Sequence, residues 1–195
     1  MTGFLPRSFD ESKIEAVQHV APYLSRAEAW AIAMYLGPTE YYRKINQALY
    51  QRLTDQRELK KFTLIARTAT IALIKIPPVT QAYLKMLPQE DGTQTSGLLR
   101  KYQGGSALKT LPYQIGEVVT EPGFVSTTYW HRPFGILQRY AEAANIVFEI
   151  NITPNINGSA GRYVDPLKRS HKEGEILFPP GVQFLVTSRY VANYR

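Results

Sequence analysis

Apolar residues keep helical spacing as far as Ile76, Pro77-Pro78 follow, and from about residue 97 the pattern shifts to the two-residue period of strands. The two periods place side chains on different faces, so neither half can take the other's structure. In the first half, Ser8-Phe9-Asp10-Glu11 and Ser25-Arg26-Ala27-Glu28 both fit the capping box, in which a hydroxyl and a carboxylate satisfy free backbone N–H groups at a helix start. The second box opens an apolar helix through Ala29, Trp30, Ile32, Ala33 and Leu36, stopped by Gly37-Pro38, with Trp30 expected in the core. Thr39 is placed to cap a next helix with the stripe Tyr42, Ile45, Leu49 and Leu53. A longer helix carries Leu59, Phe62, Ile65, Ala69, Leu73 and Ile76, and the two prolines end it.

In the second half, Ile146, Phe148, Ile150 and Ile152 alternate with Val147, Glu149 and Asn151, as in a strand. Glu175 to Phe178 runs into Pro179-Pro180-Gly181, a turn, and Val182 to Val191 is expected to return as the second strand of a hairpin. Helices first and strands afterwards predict an α+β fold rather than a doubly wound sheet. No internal repeat is present, and the one loop-like break is Pro88 to Gly97. Residues 1–195 are therefore expected to form one domain, mainly helical over 1–88 and strand-rich over 97–195.

A chain of 195 residues buries roughly 70% of its unfolded surface and needs no staple. It has no cysteine, which excludes disulfides, thiolate metal sites and a cysteine nucleophile. His19, His131 and His171 show no metal-ligand spacing, so no metal is expected. No apolar run approaches the ~20 residues of a membrane span, and Met-Thr-Gly-Phe-Leu-Pro-Arg lacks the layout of a signal peptide. The formal charge of +7 suits phosphate-bearing ligands and nucleic acid, although a mildly basic soluble surface accounts for it equally well.

Three segments of the second half carry chemistry. Leu98-Leu99-Arg100-Lys101 is a strand end with two adjacent cations, and Gly123-Phe124-Val125-Ser126-Thr127-Thr128 is an apolar strand finishing in three hydroxyls. Glu173-Gly174-Glu175 precedes Ile176-Leu177-Phe178-Pro179-Pro180-Gly181. Each alone is ordinary: a surface ion pair, a strand edge, two exposed acids. In this order they resemble the mono-ADP-ribosyltransferases of the arginine–serine–glutamate class, the bacterial toxin and ecto-enzyme type. Ile115-Gly116-Glu117-Val118-Val119, Gly161-Arg162-Tyr163-Val164 and the helix Tyr42-Arg43-Lys44-Ile45-Asn46 look like the same family, so that the resemblance spans residues ~30 to 190.

The resemblance implies an ADP-ribosyltransferase fold, a helical N-terminal half bracing a split, mainly antiparallel β-sandwich, with NAD as co-substrate in the cleft between its sheets. By position, Arg100 matches the arginine that grips the NAD phosphates, and Lys101 stands where some members carry a second arginine. Ser126 matches the serine that orients the catalytic glutamate, with Thr127 and Thr128 completing its strand. Glu175 matches that glutamate, Glu173 the residue that handles the acceptor, and Asn46 an asparagine that touches the nucleotide. The segment after Thr128 is expected to fold over nicotinamide, where Phe134, Tyr129 or Trp130 would stack.

The chemistry supports these assignments independently. Cleaving the nicotinamide–ribose bond builds positive charge on the ribose, as in glycoside hydrolysis. A fixed carboxylate beside that ribose stabilises the charge as it develops, and an arginine fork suits a diphosphate. Glutamate rather than glutamine at position 173 resembles the arginine-modifying members, whose guanidinium acceptor needs a base and a negative partner, and so implies an arginine of a target protein as acceptor. The basic loop Asp165 to Lys172, with Lys168, Arg169, His171 and Lys172, keeps nucleic acid open as an acceptor. Water as acceptor, which would make an NAD glycohydrolase, and a catalytically dead basic binding module on the same scaffold are the alternatives. The resemblance suggests a secreted or injected effector acting in a target-cell cytosol, or a toxin domain cut from a larger polypeptide, with an antidote or immunity protein as a further partner.

Overall fold

Ser25, Asp55 and Thr80 each start a helix with a side chain that accepts from free backbone N–H groups. The computed structural model describes residues 11–37, 40–87, 89, 97–103, 113–130, 136–144, 146–152, 161–168 and 173–189. In chain order the helices are α1 (Glu11–Val20), α2 (Arg26–Leu36), α3 (Tyr41–Leu49), α4 (Gln56–Lys75), α5 (Gln81–Met86) and α6 (Ile136–Glu142). The strands are β1 (Leu98–Gln103), β2 (Val118–Glu121), β3 (Val125–Thr128), β4 (Ile146–Asn151), β5 (Arg162–Tyr163), β6 (Glu175–Phe178) and β7 (Val182–Leu185). The chain divides into two compact units, Met1–Pro78 with Arg162–Lys172, and Val79–Gly161 with Glu173–Arg195.

In the first unit the capping box at Ser25 forms as expected: the Glu28 N–H donates to the Ser25 hydroxyl and the Ser25 N–H to the Glu28 carboxylate. The Ser8 box and the Thr39 cap lie outside the described residues. Helix α2 carries a run of buried residues from Glu28 to Tyr35, Trp30 among them, and packs against α1 and α4. Helix α3 stops at Leu49, short of the expected Leu53, because Gln51 takes a left-handed φ of 54° that no helix continues through. Asp55 then caps α4 by accepting from the N–H groups of Arg57 and Glu58. Ile76 and the prolines close α4 as predicted, with Phe62, Ile65, Ala69 and Leu73 buried along it.

The second unit holds the strands that matter for the site. Its larger sheet runs β4-β1-β3-β6, every neighbouring pair antiparallel, and β2 and β7 form a separate antiparallel pair. The predicted hairpin is corrected here: β7 pairs with β2 rather than returning along β6. Pro179 and Pro180 offer no backbone N–H to a ladder. Gly181, at φ 83°, bonds instead to the Glu121 carbonyl at 2.8 Å, so the corner carries the chain from one sheet to the other. Phe178 and Phe184 meet edge-on across that corner, 5.6 Å between centroids. Helix α6 within the strand-rich half was not expected. The result is an α+β fold with antiparallel sheets.

Glu28 also ties α2 to α4, since Lys75 donates to both of its carboxylate oxygens at 2.7 and 2.9 Å. The Lys75 ammonium, with the Ser25 bonds behind it, holds the Glu28 carboxyl below its ordinary 4.5 against the opposing effect of burial. A lowered folded-state value means the stabilisation is complete above pH 4.5 and is lost as pH falls through the folded value. Glu28→Gln is therefore expected to cost about 1 kcal/mol in urea unfolding at neutral pH. The gap from the parent protein should close in acid; a gap that persists at low pH would assign the loss to packing instead of charge.

Candidate active site

The site is a consequence of strand register. In β1, Arg100 stands opposite Glu149 of β4 on one side and Thr128 of β3 on the other, and Thr128 stands opposite Glu175 of β6. Directly paired residues share a face of the sheet. Glu149, Arg100, Thr128 and Glu175 therefore form one row across four strands, and Ser126, two residues from Thr128, joins the same face. Arg100 lies in mid-strand rather than at the strand end expected, because β1 continues to Gln103.

Ser126 and Glu175 are diagonal neighbours on that face, and the Ser126 hydroxyl donates to Glu175 Oε1 at 2.5 Å. Glu175 is 5% exposed, whereas Ser126 opens to solvent between the buried Val125 and Thr127. A short bond of this kind fixes the carboxylate rotamer and leaves the other oxygen turned to its own surroundings. Beside them, Arg100 Nε lies 3.4 Å from Glu149 Oε1.

Glu173 is held by its main chain. The Thr128 hydroxyl donates to the Glu173 carbonyl at 2.6 Å and accepts from the Trp130 N–H at 3.1 Å. The Tyr129 N–H donates to the Gly174 carbonyl at 3.0 Å. Gly174 has φ 61°, and a Cβ there would meet the Trp130 ring at 2.7–2.9 Å, so glycine between the two acids is a steric requirement. Thr128 thus positions Glu173 rather than facing open solvent.

Two other expected residues are not brought to this face. Lys101 projects from the opposite side of β1, 5.4 Å over the Phe148 ring and 3.9 Å from Glu121, and burial pushes its ammonium below the ordinary lysine range. Thr127 is likewise turned inward, its hydroxyl donating to the Ile176 carbonyl at 2.7 Å. Tyr129 and Trp130 are both buried, packed edge to face, rather than displayed for stacking. Asn46 belongs to the first unit, where its amide donates to the Tyr35 hydroxyl at 3.3 Å. Phe134, His131 and the basic residues Arg169, His171 and Lys172 lie outside the described residues. Among the described residues no group of three or more histidines or acids could hold a metal ion, and no helix is long and apolar enough to cross a membrane.

Three participants escaped the sequence. Glu149 read as the polar side of a strand; only the β1–β4 register shows it facing Arg100. Gln89, 4% exposed, donates to the Tyr129 carbonyl at 3.0 Å across 40 residues of chain. Gly174 carried a faint signal, since a glycine directly before a strand often marks a left-handed turn.

Comparison with known proteins bears on the fold and the family. The Mav protein of Mycobacterium avium (strain 104), provisionally named an NAD(+)–arginine ADP-ribosyltransferase, is 30% identical over 161 residues; the match covers 83% of this chain but only 16% of Mav. Among solved structures, exoenzyme S of Pseudomonas aeruginosa, in complex with human 14-3-3 protein beta and bound to carba-NAD, superposes with a TM-score of 0.59 at 19% identity, covering 94% of this chain and 76% of that one. The ADP-ribosyltransferase Vis of Vibrio splendidus, in complex with agmatine, gives 0.58 at 20% identity, covering 96% and 83%. These two likenesses establish the fold. The family model of the ADP-ribosyltransferase exoenzymes matches residues 8–193, and the chain belongs to that family.

Proposed function

We propose that this chain is an NAD-dependent mono-ADP-ribosyltransferase that moves ADP-ribose onto an arginine of a target protein and releases nicotinamide. The observation that carries the proposal is the Ser126–Glu175 bond of 2.5 Å, in one row with Arg100. It supports a carboxylate fixed in advance where positive charge will develop.

In this mechanism Arg100 grips the diphosphate through a charge-assisted fork. The ribose C1′ comes to lie beside Glu175, which accepts from the 2′-hydroxyl. The C1′–N bond breaks, its electron pair leaves with nicotinamide, and Glu175 faces the oxocarbenium ion. An arginine guanidinium then donates a pair to C1′ and gives its proton to Glu173. The family resemblance alone assigns a nucleotide contact to Asn46 and the aromatic over nicotinamide to Phe134. Lys101 and Thr127 act from the far side of the sheet, holding β1 and β3 in place behind the NAD site. Arginine as acceptor is supported by Glu173 itself, by the name of Mav, and by agmatine, a guanidinium compound, in the Vis complex. Residues 1–195 then act as one transferase domain. Because the chain spans 16% of Mav, that domain fits an injected effector or one part of a longer toxin.

Glu175→Gln keeps the side-chain shape and removes the charge. It is expected to reduce nicotinamide release on the order of 100-fold or more, with NAD binding by calorimetry nearly unchanged; release at the parental rate would refute the assignment. Glu173→Ala separates transfer from hydrolysis. Labelling of lysate proteins from radiolabelled NAD should disappear while nicotinamide release continues. Nicotinamide release without labelling in the parent, unchanged by Glu173→Ala, would point to water as the natural acceptor, and labelling abolished by nuclease would point to nucleic acid.

A further inference from the structure

The two acids are held by different means, and the second means has no place in the scheme above. Glu175 begins β6, all four of whose residues are buried, and its carboxylate is fixed by Ser126. Glu173 precedes the strand, and its support is the turn at Gly174. That turn rests on the segment Thr128-Tyr129-Trp130 through three attachments. These are Thr128 Oγ1 to the Glu173 carbonyl, the Tyr129 N–H to the Gly174 carbonyl, and the Trp130 ring, so near Gly174 that an added Cβ would meet it at 2.7–2.9 Å. The segment is itself pinned: Gln89, buried, donates to the Tyr129 carbonyl, and Trp130 is 8% exposed. Among the described residues the indole Nε1 has no hydrogen-bond partner, so packing sets the ring's place, and Gly174 is the backbone it packs on.

Resting on the transferase reading, we propose that Trp130 is a positioning residue for Glu173, and that the Trp130–Gly174 contact determines how much of the cleaved ADP-ribose reaches an arginine rather than water. The ring acts through the main chain of the acid that takes the acceptor's proton. Glu175 is held by other means, the ladder to Thr128 and the Ser126 hydroxyl. Moving the turn by a few tenths of an ångström displaces the base from the guanidinium without moving the carboxylate beside the ribose. Transfer depends on the first distance and bond cleavage on the second.

The test uses the purified full chain with NAD, and agmatine as acceptor. Trp130→Phe shrinks the ring and loosens the support. Gly174→Ala adds a Cβ that the ring must yield to, at a φ that alanine rarely adopts. Both are expected to lower the ratio of ADP-ribosyl-agmatine to free ADP-ribose by roughly tenfold or more. Nicotinamide release without acceptor should continue, and the KM for NAD should stay at the parental value. The proposal is overturned if transfer and release fall in proportion, if the KM for NAD rises, or if the ratio does not move. Should Gly174→Ala fail to fold, Trp130→Phe decides alone. Failure of the parental protein to release nicotinamide would refute NAD cleavage itself, a result distinct from any of these.

Discussion

The pairing of β3 with β6 is the constraint from which the site follows. It joins residues 49 positions apart in sequence, Ser126 and Glu175, and it does so through the most deeply buried strand of its unit. Ile176 and Leu177 are fully buried, and the Thr127 hydroxyl reaches the Ile176 carbonyl from the neighbouring strand. Fully burying side chains of this size stabilises by ~1.5–3 kcal/mol each. A slip of one residue would put Ser126 and Glu175 on opposite faces and exchange the packing of Ile176 and Leu177, so the core that stabilises the sheet also enforces the register of the site.

In the proposed mechanism, that register divides the work between the acids. Glu175 is held by a side-chain hydrogen bond inside a strand, a rigid setting for a charge that must meet a short-lived cation. Glu173 stands outside the strand on a glycine turn, more exposed, as suits a residue that meets an incoming macromolecule. Arg100 and Glu149 continue the row on the other side, so the cation that the proposed mechanism gives to the diphosphate is itself paired with an acid. Sequence and main chain thus place three different supports within a few strands: a hydroxyl, a turn and an ion pair.

Much of this was legible in the residues. Helical spacing up to Ile76, the Ser25 capping box and the alternation from Ile146 required no knowledge of tertiary structure, because each depends on neighbours within a few positions. The motif around Ser126 and Glu175 was recognisable by order alone. What could not be read depends on partners distant in sequence. The turn at Pro179-Pro180-Gly181 looked like a hairpin, and only the competing attachment of Gly181 to Glu121 sends β7 to another sheet. Lys101 and Thr127 stand beside true members of the row, yet the two-residue period of the strand places them on its other face. The partnership of Arg100 with Glu149, and of Gly174 with Trp130, is tertiary information with almost no local trace.

The most direct measurement is a crystal structure of the chain with a non-hydrolysable NAD analogue. The account predicts the nicotinamide-side ribose within hydrogen-bonding distance of Glu175, on the face shared with Ser126, and the diphosphate on the Arg100 guanidinium. An analogue bound away from that face, or one whose ribose lies out of reach of Glu175, would contradict it.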